Sequence, residues 1–195
     1  MTPYTFGAAT DVGRVRTNNE DSFIAERIWD DAHVLLSAID GVGGYEGGEI
    51  AASICRDTIS GFLRDNPGFD AQDSVSQAIL EANNQIVESR NRDARYPEMS
   101  CVASVALVDV ASGKAYVAHV GDTRIYLYDP SCGLRKITHD HSLVGYREEI
   151  GELTEEQAMH HPQRNVIDRS LGERKRMIEE EDFLDAATIP LPPGG

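Results

Sequence analysis

An α+β fold, in which an antiparallel helical hairpin lies on an antiparallel sheet, is predicted by three patterns in this sequence. Apolar runs at 22–28 and 33–39 flank a polar turn at Trp29-Asp30-Asp31, the signature of paired strands. Two longer segments then carry apolar residues at helical spacing. Beyond them, 102–110 and 114–120 are β-rich and joined by Ala111-Ser112-Gly113, a hairpin signal.

Residues 4–9 alternate loosely and predict a first strand, followed by a polar loop over 11–21 with turn-forming chemistry. Antiparallel pairing of 22–28 with 33–39 would carry Glu20 and Asp21 to the sheet end where Asp40 lies. Segment 49–63 places Ile50, Ala51, Ile54, Cys55, Ile59, Phe62 and Leu63 on one helical stripe and stops at Asn66-Pro67-Gly68. A second helix over 70–88 aligns Val75, Ala78, Ile79, Ala82, Ile86 and Val87. Gly121-Asp122 ends the β-rich run, and 123–128 and 134–137 predict two further strands. From His139 onward the pattern is polar and helical, with Thr154-Glu155-Glu156-Gln157 reading as a capping box. The sequence closes on Thr188-Ile189-Pro190-Leu191-Pro192-Pro193-Gly194-Gly195, turn chemistry of the kind that introduces another strand.

The 195 residues suit one domain, and 41% hydrophobic with 26% charged residues is ordinary for a soluble protein. No apolar run is long enough to span a membrane, and the start lacks the pattern of a signal peptide, so the expected location is the cytoplasm. A formal charge of −15 disfavours nucleic acid and anionic membranes, whose phosphates bind Lys and Arg. Any phosphate site must be a local exception built from a cation or an arginine. Cys55, Cys101 and Cys132 are widely spaced with no CxxC pair. They fit reduced thiols, not a disulfide frame or a zinc site, and Cys55 on an apolar helix face and Cys101 opening a strand read as core or near-core. The run Glu179-Glu180-Glu181-Asp182 reads as a solvated face.

Chemistry concentrates where the second apolar run ends in Asp40-Gly41-Val42-Gly43-Gly44-Tyr45-Glu46-Gly47-Gly48-Glu49. Dense glycine lets carbonyls and amides approach an ion, and a carboxylate at the mouth of such a loop suits a hard divalent cation, which takes oxygen ligands. The stretch also reads as a plain strand-to-helix turn that carries an aspartate. Asp122 likewise sits where a strand gives way to a glycine-bearing break, Glu20-Asp21 directly precede a strand, and Arg16 is close in sequence. Several acids at strand ends with an arginine suit two-metal phosphoryl hydrolysis, in which the arginine grips the phosphate bidentately. Solvation explains any one of these acids alone; the combination carries the reading.

Five segments carry a family resemblance. They are Arg16-Thr17-Asn18-Asn19-Glu20-Asp21-Ser22; Asp40-Gly41-Val42-Gly43-Gly44 with Gly47 and Glu49; Val120-Gly121-Asp122-Thr123-Arg124-Ile125-Tyr126; Thr138-His139-Asp140-His141-Ser142-Leu143-Val144; and His161-Pro162-Gln163-Arg164-Asn165 with Leu171-Gly172. In order and spacing the sequence resembles, over nearly its whole length, the bacterial metal-dependent serine/threonine protein phosphatases of type 2C. The resemblance implies two packed antiparallel β-sheets flanked by antiparallel helical hairpins, a four-layer αββα sandwich, with 1–195 a single catalytic domain whose last strands are missing. It implies hydrolysis of phosphoserine and phosphothreonine on phosphorylated proteins by a metal-activated water, in line and without a phospho-enzyme, opposing a serine/threonine kinase. By position, Asp40 would bridge two magnesium or manganese ions and the Gly41 carbonyl would bind one of them. Glu20 and Asp21 would hold metal-bound waters, Arg16 would take the substrate phosphate, and Asp122 would help bind a third, looser ion.

Two departures from the family pattern matter. Some relatives have a histidine after the Asp-Gly pair, proposed as general acid; Val42 stands there in this sequence, so leaving-group protonation must come from elsewhere. The family's Pro-Gly turn leads into a strand ending in Ser-Asp-Gly and later to an Asp-Asn pair, both aspartates being metal ligands. This sequence stops at Pro193-Gly194-Gly195, before either. That predicts weak or absent catalysis for the chain as it stands and keeps a rival reading open, a non-catalytic phosphatase-like binding or regulatory module. A Walker P-loop is ruled out because the glycine stretch lacks the Lys-Ser/Thr pair. Metal sites at His139-Asp140-His141 or His160-His161 rank low, because neighbouring histidines point in different directions.

Overall fold

The computed structural model describes residues 4–42, 47–67, 70–178, 180 and 182–192. Its elements in chain order are β1 (Asp21–Arg27), β2 (His33–Val42), α1 (Gly47–Asp65), α2 (Ala71–Arg92), β3 (Ser100–Asp109), β4 (Lys114–Val120), β5 (Tyr126–Asp129), β6 (Gly133–Lys136), α3 (Leu143–Glu149), α4 (Glu155–Met159) and β7 (Asp185–Pro190). Five strands form one antiparallel sheet in the order β1-β2-β3-β4-β7, and β5 pairs with β6 in a second, two-stranded sheet.

The alternation of β3 explains how the layers stack. Cys101, Ala103, Val105 and Leu107 enter a core with Ile39 of β2, Cys55, Ile59 and Leu63 of α1, and Val75, Ile79 and Ile86 of α2, none more than 2% exposed. The predicted helical hairpin therefore covers one face of the sheet. Val102 and Ser104, on the other face, are also buried, so β3 is the central strand and is covered on both sides. The two sheets and four helices give the α+β sandwich that the sequence predicts. Among the described residues its second sheet is reduced to the β5–β6 hairpin.

Local chemistry fixes the element ends. Trp29 takes a left-handed φ of 66° in the β1–β2 turn, and its Nε1 donates to the Leu63 carbonyl (2.6 Å), capping the last turn of α1. Asp70 accepts from the Gln72 and Asp73 N–H groups to start α2, and the Thr154–Gln157 capping box starts α4. Buried Asn83 of α2 donates to the Arg174 carbonyl (2.9 Å) and accepts from the Gly172 N–H (2.9 Å), pinning the 171–176 segment against the helix. No helix among the described residues is long and apolar enough to cross a membrane.

Several sequence expectations change. Residues 4–9 form no strand. The Tyr4 hydroxyl instead donates to the Asp31 carbonyl and accepts from Arg27 Nε, so side chains anchor the segment without a ladder. Residues 123–125 stay out of β5 because Thr123 bonds to Ser104 and the Ile125 N–H goes to Thr138 Oγ1 (3.1 Å). β7 is an unexpected strand: Asp185-Ala186-Ala187 gives little β signal, and pairing with β4 imposes the conformation. Cys132 is exposed, whereas Cys55 and Cys101 are buried. Glu180 is not merely solvated: it pairs with Arg174 (2.6 Å) and Arg176 (3.0 Å). Gly43, Gly44, Tyr45, Glu46, Gly68, Glu179, Glu181 and the closing Pro193-Gly194-Gly195 lie outside the described residues.

Candidate metal and phosphate site

Strand direction alternates across an antiparallel meander, so the start of β1, the end of β2, the start of β3 and the end of β4 share one edge. The register sets Asp21 opposite Asp40, Asp40 opposite Val102, and Ala103 opposite Val120, which brings Gly121-Asp122 to the same row. Side chains alternate faces along a strand. Ile39 and Cys101 point into the helix-side core, so Asp21 and Asp40 share the opposite face.

Like charges directly opposite one another destabilise a strand pair, and the electrostatics record the crowding. Burial, then the charges of Asp21 and Asp122, raise the Asp40 carboxyl to about 6 against the opposing pull of Arg16. Asp122 is raised too, by burial first and then by Asp140. Clustered, half-buried carboxylates of this kind are what a divalent cation stabilises. The all-oxygen donor set therefore fits magnesium or manganese chemically.

Two glycines set the backbone beside Asp40. A Cβ on Gly41 would overlap the Gly48 carbonyl and lie 2.8 Å from the Glu20 oxygen, and one on Gly48 would lie 3.3 Å from the Glu20 carboxyl carbon. Glycine at both places lets the first turn of α1 close over the end of β2. The Gly41 N–H donates to the Glu20 carbonyl (3.1 Å), and Asn18 Nδ2 donates to Glu49 of α1 (2.8 Å), tying the 16–20 loop to that turn. An open cavity of about 380 Å³ is lined by Thr10, Asp11, Asp21, Asp40 and Thr123. A second, of about 460 Å³, is lined by Asp122, Arg124, Asp140, Arg164 and Asn165.

The six predicted site residues are thus partly united. Asp21 and Asp40 face each other, with Asp122 and Arg16 in electrostatic reach. The Glu20 side chain is buried and pairs at 3.8 Å with Arg16, whose own side chain is 64% exposed. Among the described residues no three His, Cys, Asp or Glu groups close into a ready metal cage. Asp21 and Asp40 line one open cavity and Asp122 lines the other.

Sequence reasoning missed Arg124. It stands two residues after Asp122, only 15% exposed, and donates to Asp140, Glu148 (2.8 Å) and Glu155 (2.8 Å). Burial opposes its charge, and the surrounding acids more than compensate, raising its pKa. Its signal was a lone arginine inside the Gly121-Asp122 segment of an acidic chain. The histidines are engaged by protein: His139 Nδ1 meets Glu149 (2.7 Å) and His160 Nδ1 donates to the Glu156 carbonyl (2.8 Å).

Comparison with known proteins sets the class. Residues 13–174 match the family model for protein phosphatase 2C, and the chain belongs to that family of metal-dependent enzymes. Among its relatives, the serine/threonine phosphatase stp of Listeria welshimeri is 31% identical over 186 residues, which cover 93% of this chain and 70% of that protein. The structure of serine/threonine phosphatase Stp1 from Staphylococcus aureus superposes with a TM-score of 0.81 at 30% identity, covering 94% of this chain and 70% of that one. The catalytic domain of PstP, solved in complex with two manganese ions, matches with a TM-score of 0.72 at 26% identity, covering 92% and 69%. The chain thus spans about 70% of the length of these relatives.

Proposed function

We propose that the chain hydrolyses phosphoserine and phosphothreonine on proteins, with two magnesium or manganese ions held along the Asp21–Asp40 edge and a third beside Asp122. The observation that carries this reading is the facing carboxylate pair Asp21–Asp40, with the Asp122 charge bearing on the same group. Relatives named serine/threonine phosphatases and a neighbour solved with two manganese ions support it. Asp40 and the Gly41 carbonyl would hold the ions, which supply polarisation of the phosphoryl group and acidification of water.

The chain's own residues do the rest. Arg16, mostly exposed and held by a long contact to Glu20 at 3.8 Å, can turn its guanidinium to a phosphate and grip two oxygens. Val42 offers no proton, so the leaving oxygen takes one from water in the open cavity. In the cell such an enzyme would work in the cytoplasm against a serine/threonine kinase. The second reading, which the sequence keeps open, is a phosphatase-like module that binds metal or phosphoprotein without turnover.

Phosphate release from a phosphothreonine peptide, with and without manganese, tests the proposal. Manganese-dependent release, weak because the chain stops short of two of the family's metal-ligand aspartates, that Asp40→Asn abolishes is the expected result. Manganese binding without release would favour the module, and release indifferent to Asp40→Asn would overturn both.

A further inference from the structure

Two neighbours in sequence, Asp140 and His141, hold the chain on either side of Asp122. Gly121 donates its N–H to His141 Nδ1 (3.0 Å) and accepts the His141 N–H on its carbonyl (2.7 Å). On the other side, Arg124 Nε donates to both Asp140 carboxylate oxygens (3.1 and 3.0 Å). His141 and Asp140 are both buried.

The hydrogen bonds select the imidazole's tautomer. A backbone N–H can only donate, so Nδ1 must present its lone pair and the ring must carry its proton on Nε2. Nε2 lies 3.3 Å from Asp185 Oδ2 on β7, and this contact with His141 is the leading cause holding the Asp185 carboxyl below its usual range. Arg169 Nη1, 3.4 Å from Nε2, finds no acceptor there and leans on Asp185 Oδ1 at 3.6 Å. A carboxylate thereby orients an imidazole, as in the outer sphere of metal sites, but the imidazole grips a backbone amide.

The geometry points to His141 as a positioning residue: backed by Asp185, its Nε2-protonated ring fixes the Gly121–Asp122 turn and so aims Asp122 into the cavity that it lines. Both ring nitrogens are used in this arrangement, which leaves no lone pair for a metal. The clamp on Gly121 stands by itself; its bearing on metal binding rests on the reading of Asp122 proposed above.

The test begins on the metal-free chain. Long-range ¹H–¹⁵N correlation should show His141 with a bare Nδ1 and a protonated Nε2. Asparagine can place its amide oxygen where Nδ1 sits, whereas glutamine reaches the Nε2 position. Gly121 amide exchange should therefore stay slow in His141→Asn and quicken about tenfold or more in His141→Gln. Manganese titration followed by electron paramagnetic resonance should show weaker binding in His141→Gln than in His141→Asn. A proton on Nδ1, or equal loss of protection in the two variants, would overturn the clamp. Expected tautomer and exchange with manganese binding equal in both variants would leave the clamp standing and overturn the role of Asp122 as a ligand. The tautomer measurement uses the unsubstituted chain, so it decides even where a variant fails to fold.

Discussion

Gly121→Ala should be among the most damaging single-methyl additions in this protein, and two separate terms make it so. The backbone at Gly121 has φ +106°, a conformation that costs a residue with a Cβ about 1–3 kcal/mol. The added Cβ would also fall inside the contact radii of Val102 Cβ and Cγ1, and overpacking of a closed site costs roughly 1–3 kcal/mol. Together they predict a loss of about 4 kcal/mol, or on the order of 8–16 °C in melting temperature for a domain this size. Gly113 is the internal control: its φ is +66° and a Cβ there meets nothing within 4 Å, so Gly113→Ala carries the backbone term alone. Urea unfolding followed by Trp29 fluorescence measures both variants. The overlap is read from a double-mutant cycle, in which Gly121→Ala should cost less in a Val102→Gly background than in the unsubstituted protein. Equal destabilisation by Gly121→Ala and Gly113→Ala would refute the close packing of the turn on Val102, and with it the account of how Asp122 is placed.

Three further outcomes follow from the same structure. In metal-free protein at pH 7.5, Asp40→Asn should raise stability, because a carboxyl raised to about 6 works against folding once ionised; allowing for partial exposure the gain is about 1–2 kcal/mol. Added manganese should reverse the order by stabilising only the unsubstituted protein, and melting curves in chelator and in manganese check both signs. Burial, then His141, depress His119 to about 4, so the unfolded chain takes up a proton near 6.5 while the folded one does not. Stability should fall as pH drops from 6.5 to 4, by up to about 3 kcal/mol, and His119→Gln should flatten that stretch of a pH series of urea midpoints. Arg124→Ala should cost up to about 3 kcal/mol by leaving the buried Asp140 charge to Lys136 alone, at 3.6 Å, while an Arg124→Ala/Asp140→Asn double variant should recover part of the loss in the same unfolding assay.

Much of this architecture was legible because its signals are local. Helical spacing marked α1 and α2, and Ala111-Ser112-Gly113 marked the β3–β4 hairpin. Pairing 22–28 with 33–39 placed Asp21 near Asp40 from sequence alone. What stayed hidden depends on partners distant in the chain. β7 is a strand because β4 offers it an edge, and residues 4–9 alternate like a strand but are anchored through the Tyr4 hydroxyl to Asp31 and Arg27 without a ladder. Arg124 is one arginine among many until Asp140, Glu148 and Glu155 converge on it. The His139-Asp140-His141 run ranked low as a metal site, and only the Gly121 amide and Asp185 reveal what the His141 ring does.

The carboxylate row at the edge of the sheet also bears on how the protein comes together. Asp21 and Asp40 meet within a single hairpin, whereas Asp122 joins them only after two helices and two more strands have docked. A slip of one residue in any of these pairings would turn an acid into the helix-side core. The looser cation position beside Asp122 therefore requires β4 to be seated in register, whereas the Asp21–Asp40 pair needs only the first hairpin, so occupancy of the looser position would report complete, correctly aligned assembly.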